Sequence, residues 1–160
     1  MRQFTSEPVA DEDLMALAEV ARWSGSSRNS QPWRFILVRD VALMRQIAEA
    51  GHPQTRSLST AVAAMAVSLP DEEGRTTSLA YDDGRVAERV LIGASMLGLG
   101  AGIAWVRSDV RKDIGDMLGI RDGRFVRTIM AIGHPSAGAR APKSPPGGAR
   151  LPLDDLVELR

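Results

Sequence analysis

The sequence predicts an α/β or α+β domain in which helices cover a small sheet, and three observations carry that expectation. Amphipathic segments at helical spacing alternate with short apolar runs of strand length. The 160 residues suffice for one buried core. A closing stretch rich in Pro and Gly has no core of its own. The expected organisation is a single domain over residues 1–160, with 136–160 as an extended C-terminal arm.

The first helix is expected in VADEDLMALAEVARW, where Asp11 can cap, acidic residues fill the first turn, and Leu14, Leu17, Ala18 and Ala21 form one stripe. A polar loop from Ser24 to Pro32 follows, and Gln31, preceding a proline, is biased toward extended geometry. RFILVR reads as a short buried strand. Asp40 is placed to cap the helix VALMRQIAEA, which Gly51 and Pro53 stop. AVAAMAVSL has strand length despite its alanines, and PDEEGRTTS reads as a loop. DDGRVAERVLIGASMLGLG gives the clearest helix, with Val86, Val90, Leu91, Ala94 and Leu97 on one face and Gly93, Ala94 and Ser95 permitting close backbone approach. SDVRKDIGDMLG is a further capped helix stopped by Gly119, RFVRTIMAIGHP a central strand, and LPLDDLVEL one or two last helical turns.

Composition narrows the chemistry. Twenty basic and twenty acidic residues cancel, so no net field gathers nucleic acid or an anionic membrane. The absence of cysteine removes disulfides, thiolate ligands and a cysteine nucleophile. Two histidines far apart argue against a histidine-built metal site. With no apolar signal core and no run of membrane-spanning length, the expected location is cytoplasmic.

The glycines of GLGAG, 98–102, follow a helix and precede an extended segment, the reverse of a dinucleotide-binding fingerprint. They fit either a helix stop with a packed turn or a place where backbone approaches a flat ligand. Asp82 and Asp83 are read as helix caps, and His52 and His134 as turn residues. SSRNSQPW holds more side-chain donors and acceptors than a plain turn needs. Arg150 stands in the Gly/Pro-rich arm, where its fork suits a phosphate.

Taken in order, these pieces resemble the nitroreductase family of flavin mononucleotide (FMN) enzymes. RQFTSEPVADEDL is similar to its N-terminal segment, and SSRNSQPWRFILV to its small-residue loop with Asn, Gln-Pro-Trp and a strand. DDGRVAERVLIGASMLGLGAGIAWV resembles its core helix and glycine turn, and AIGHP and ARLPLDDLV its last strand and arm. The resemblance implies a small mixed or antiparallel sheet surrounded by helices, a homodimer with FMN in the interface, and a C-terminal arm exchanged between subunits. It implies hydride transfer from NAD(P)H through flavin to a nitroaromatic, quinone or similar small acceptor, with no catalytic side chain. By position it assigns FMN contacts to Arg2, Ser26, Ser27, Asn29, Gln31, Arg56 and Arg150, with the backbone of Trp105 and Val106 near flavin N5.

The chain departs from the family pattern at several points. The Arg-Arg-Ser phosphate clamp falls upstream of Met1, so Arg2 alone represents it. Gly148 replaces a lysine, Gly25 replaces a proline, and the segment before DDGRVAERV is short where helices normally cover the site. The alternative function is a homodimer of the same fold without FMN, acting as a binding or structural protein.

Overall fold

The computed structural model describes residues 1–141, 144, 148 and 150–160. The apolar runs become four strands, β1 (Arg34–Val38), β2 (Ala63–Pro70), β3 (Gly100–Trp105) and β4 (Arg124–Gly133). All neighbouring strands are antiparallel in the order β1-β2-β4-β3, so the sheet is antiparallel rather than mixed. β2 is central, and seven of its eight residues are buried. Alanine, a helix former in isolation, is strand here because both faces of this segment are covered.

Four main helices cover the sheet: α1 (Asp11–Arg22), α2 (Val41–Ala50), α3 (Thr76–Met96) and α4 (Arg111–Met117). Along β2, Ala63, Met65, Val67 and Leu69 pack with Leu14, Leu17, Val86 and Val90 of α1 and α3. Ala64 and Ala66 pack with Met44 and Ile47 of α2 and Ile114 of α4. The alternation of a strand thus feeds two cores, one on each face.

Local chemistry sets several boundaries. Asp40 accepts from the amides of Ala42 at 2.8 Å and Leu43 at 3.1 Å, the cap its position suggested. Gly98 follows α3 at φ +73°, where the chain turns into β3. Other expectations change. Asp11 is the first helical residue rather than the cap, which falls to Ala10. Gln31 takes φ +45° rather than an extended angle, because its amide is drawn back to Ser26 Oγ at 2.9 Å. The stretch expected as one helix over 108–119 divides into a 3-10 turn (Ser108–Val110) and α4.

α3 begins six residues earlier than its apolar pattern indicated, at Thr76, and absorbs part of the expected loop. Leu79 continues the inward stripe of Val86 and Val90, but Asp82 and Asp83 occupy the inward positions between them. These aspartates are therefore buried mid-helix residues, not caps. At the other end Leu97 lies beyond the helix and is 43% exposed, so it is not part of the buried face.

The arm expected to be extended opens with a short helix, α5 (Ala137–Arg140), capped by Ser136. A 3-10 turn (Leu153–Asp155) supplies one of the closing turns. Residues 142–143, 145–147 and 149 lie outside the described set. Among the described residues no helix is long and apolar enough to cross a membrane.

Candidate functional site

β3 is an edge strand, and its open edge borders a groove of about 350 Å³ lined by Arg2, Pro53, Gln54, Arg56, Ser57, Ile103 and Trp105. Three residues far apart in the chain and singled out by the sequence, Arg2, Arg56 and Trp105, meet there. Ile103 and Trp105 project from the same face of β3, each 47% exposed, and present an apolar floor. The arginines supply positive charge at its rim, and among the described residues neither is ion-paired with a carboxylate. The hydroxyl of Ser57 is buried without a hydrogen-bond partner among the described residues.

Each wall has an identifiable support. The N-terminal segment lies across the β3–β4 end, where the amine of Met1 donates to the Ala101 carbonyl at 2.8 Å and Phe4 bridges to Pro135. Thr60 Oγ1 accepts from the Phe4 amide at 3.3 Å and donates to the Arg2 carbonyl at 3.4 Å, holding Arg2 at the groove. A Cβ on Gly102 would collide with the Met1 carbonyl, so the glycines after α3 admit the chain's own backbone, the packed-turn reading of GLGAG. The opposite wall is a 3-10 turn, Arg56–Ser59. Arg107 ties it to the end of β3, donating to the His52 carbonyl at 2.7 Å and forming a two-pronged contact with Asp109 at 3.0 and 2.9 Å.

Strand geometry sharpens the backbone assignment. The amide of Val106 donates to the Arg127 carbonyl at 2.8 Å and is thereby engaged. Trp105 faces Thr128 as a non-hydrogen-bonded pair, so its amide points to the open edge. Of the two amides named from sequence, Trp105 offers the accessible donor.

The Ser24–Pro32 loop lies elsewhere on the chain, against α3. Ser26, Ser27, Asn29 and Gln31 do not line the Arg2–Arg56–Trp105 groove. Much of their polarity is spent locally: Gln31 Nε2 donates to Asn29 Oδ1 at 3.3 Å, and the Ser27 amide donates to both Asp82 oxygens at 3.0 and 3.1 Å. Arg28, Asn29 and Gln31 all have positive φ, at 54°, 54° and 45°. Such angles cost on the order of 1–3 kcal/mol each for residues with side chains and persist only where surroundings impose them. Arg150 is exposed in the arm and is not in the groove.

The sequence did not foresee Gln54, Ile103 and Ser57 as lining residues. Ile103 was findable from strand alternation with Trp105, whereas Gln54 and Ser57 carry no local signal.

Asp83 is 3% exposed; one carboxylate oxygen accepts from Thr128 Oγ1 at 2.7 Å and the other has no partner among the described residues. Burial pushes its carboxyl above the ordinary value of 3.8, opposed in part by the Thr128 bond and the charges of Arg127 and Arg111. A raised folded-state value means that its contribution to stability is complete below 3.8 and is lost as pH rises through the raised value. Asp83→Asn removes that loss, so its Tm relative to the parent is expected to be higher at pH 8 than at pH 4. Thermal melts across this range giving parallel curves would show that folding does not raise the Asp83 carboxyl above its ordinary value.

Comparisons with known proteins agree with this architecture. A family model described as the nitroreductase family matches residues 1–69. A protein of Archaeoglobus fulgidus named for NADH dehydrogenase and NAD(P)H nitroreductase activity is 27% identical over 141 residues, covering 84% of this chain and 79% of that one. The chain is thus similar to the nitroreductase family in sequence over residues 1–69 and in fold over most of its length. An oxygen-insensitive NADPH nitroreductase of Helicobacter acinonychis is 35% identical over 95 residues, 56% of this chain and 45% of that protein. Among solved structures, the FMN-dependent nitroreductase of Clostridium difficile R20291 superposes with TM-score 0.76 at 23% identity, covering 84% of this chain and 81% of that one. A BluB-like flavoprotein of Clostridium difficile 630 gives TM-score 0.80 at 17% identity over 99% of this chain and 93% of that one. Similarity this low establishes the nitroreductase fold and nothing finer.

Proposed function

We propose that this protein is a nitroreductase-family, NAD(P)H-dependent oxidoreductase that uses FMN to pass hydride to a nitroaromatic, quinone or similar small acceptor. The observation that carries the reading is the convergence of Arg2, Arg56 and Trp105 on one groove beside an exposed strand edge. The lining fits a flat, electron-accepting ring with an anionic tail. Ile103 and Trp105 offer apolar area, the arginines offer cations, and Ser57 has an unspent hydroxyl.

Bound FMN supplies the two-electron carrier between NAD(P)H and the acceptor. The chain's task is binding and electrostatics. Arg56 is assigned to the pyrimidine edge, where a cation offsets negative charge that grows on reduction. The Trp105 amide, on the open edge of β3, is assigned as the donor toward N5. Arg2 and Arg150 are assigned to the phosphate. Because the Ser26–Gln31 loop is remote from this groove in one chain, the reading requires a homodimer, with the loop of one copy and the groove of the other sharing the flavin. Residues 136–160 are taken as the arm that crosses between copies, and no side chain in the groove is needed as an acid.

The test is an absorbance spectrum of purified protein, titration with FMN, and anaerobic addition of NADH or NADPH. Flavin bands that bleach with either nucleotide support the reading. A colourless protein that gains no flavin on titration overturns it and favours the flavin-free dimer.

A further inference from the structure

We propose that Asp82 is the positioning residue that holds the Ser26–Gln31 loop in the left-handed shape with which it meets the flavin. The last step rests on the flavin reading above; the loop-holding step stands on the geometry alone.

Asp82 is 1% exposed in the middle of α3, at a position where the stripe of Leu79, Val86 and Val90 calls for an apolar residue. A buried carboxylate is expensive, and an apolar side chain of similar size there would commonly serve folding as well or better. Packing therefore does not explain the acid. Its contacts do. Both oxygens converge on the Ser27 amide, at 3.0 and 3.1 Å, across 55 positions of sequence. Arg85, one turn along α3, stands 3.6 Å from the carboxylate and donates to the Gly25 carbonyl at 3.4 Å. The pair thus grips the loop at Gly25 and Ser27, immediately before its three residues of positive φ.

Other bonds keep the rest of the loop closed without tying it to the core. Ser26 Oγ accepts from the Gln31 amide at 2.9 Å, and Arg75 donates to Ser30 Oγ at 3.1 Å. Among the described residues, Asp82 is the buried acceptor on which the segment is seated. With the Ser27 amide occupied by Asp82, that amide is not available to a ligand. The surface offered outward is made of exposed Arg28 and Asn29 and half-buried Ser26 and Ser27.

Two variants separate this role from a structural one. Asp82→Leu puts a somewhat larger, branched apolar side chain at the position and removes the acceptor; Asp82→Asn keeps the outline and one oxygen acceptor and removes the charge. Amide hydrogen exchange reads the loop directly, and a fluorescence titration reads FMN affinity. Asp82→Leu is expected to speed exchange at Ser27 at least tenfold and to weaken FMN binding at least tenfold, while its flavin-free Tm stays level or rises. Asp82→Asn is expected to restore most of both. Unchanged Ser27 exchange in folded Asp82→Leu, or in Asp82→Ala should the leucine variant not fold, overturns the loop-holding role, whether or not flavin binds. Faster exchange with unchanged FMN affinity overturns its link to the flavin. If the parent protein binds no FMN, the flavin reading fails, and Ser27 exchange still decides what Asp82 does.

Discussion

Alanine in place of Arg56 is expected to raise the dissociation constant for FMN by about 10- to 100-fold and to leave Tm nearly unchanged. The size follows from the bond removed: a hydrogen bond to a charged partner contributes about 1.5–3 kcal/mol, and each 1.4 kcal/mol is about a tenfold change in affinity. The selectivity follows from how the wall is built. Thr55 Oγ1 donates to the Ala48 carbonyl at 2.9 Å, and the Leu58 amide donates to the Thr55 carbonyl at 2.9 Å. Neither bond involves the Arg56 side chain, which is exposed, so truncation removes a cation from an otherwise intact groove. Arg56→Lys keeps the charge and loses the planar fork, so its affinity should fall between the two. Fluorescence titration with FMN and a melt of the flavin-free protein measure both quantities. Equal affinity in parent and alanine variant would remove Arg56 from the site without touching the fold.

The elements legible in the sequence are those whose inward positions are uniformly apolar. α1 and α2 show their period directly because their buried residues are Leu, Met, Ile or Ala, and β2 is readable from its length, its buried residues other than Ser68 being Ala, Met, Val or Leu. α3 is legible only from Asp82 onward because aspartates fill two of its inward positions, and no local pattern distinguishes a buried aspartate from a cap. What distinguishes Asp82 is an amide 55 positions away, and for Asp83 a hydroxyl on β4 45 positions away. The same limit governs the site. Arg2, Arg56 and Trp105 were nameable through resemblance, but their meeting depends on the N-terminal segment crossing the glycines of β3 and on Arg107 fastening the 52–54 turn. The two adjacent acids of α3 divide their work accordingly. One seats the Ser26–Gln31 loop, and the other anchors the helix to Thr128, the strand partner of Trp105.

Leu17→Ala is expected to cost about 3 kcal/mol, which for a chain of this size lowers Tm by roughly 6–12 °C. Leu17 is fully buried on α1, and its methyl faces α3 at Gly93, a residue without a side chain. A Cβ added at Gly93 would stand 3.2 Å from Leu17 Cδ2 and 3.3 Å from Val20 Cγ1, tighter than ordinary van der Waals contact. Gly93→Ala in the parent is therefore caught between opposing effects. Alanine gains about 1 kcal/mol over glycine in a helix interior, but the methyl presses on α1. Once Leu17 is alanine the pressure from its methyl disappears and the new methyl enters the cavity. The double variant Leu17→Ala/Gly93→Ala should accordingly be more stable than the sum of the single effects, by about 1 kcal/mol, which chemical denaturation of all four proteins resolves. Additivity within about 0.5 kcal/mol would mean that α1 and α3 are not in register at this contact.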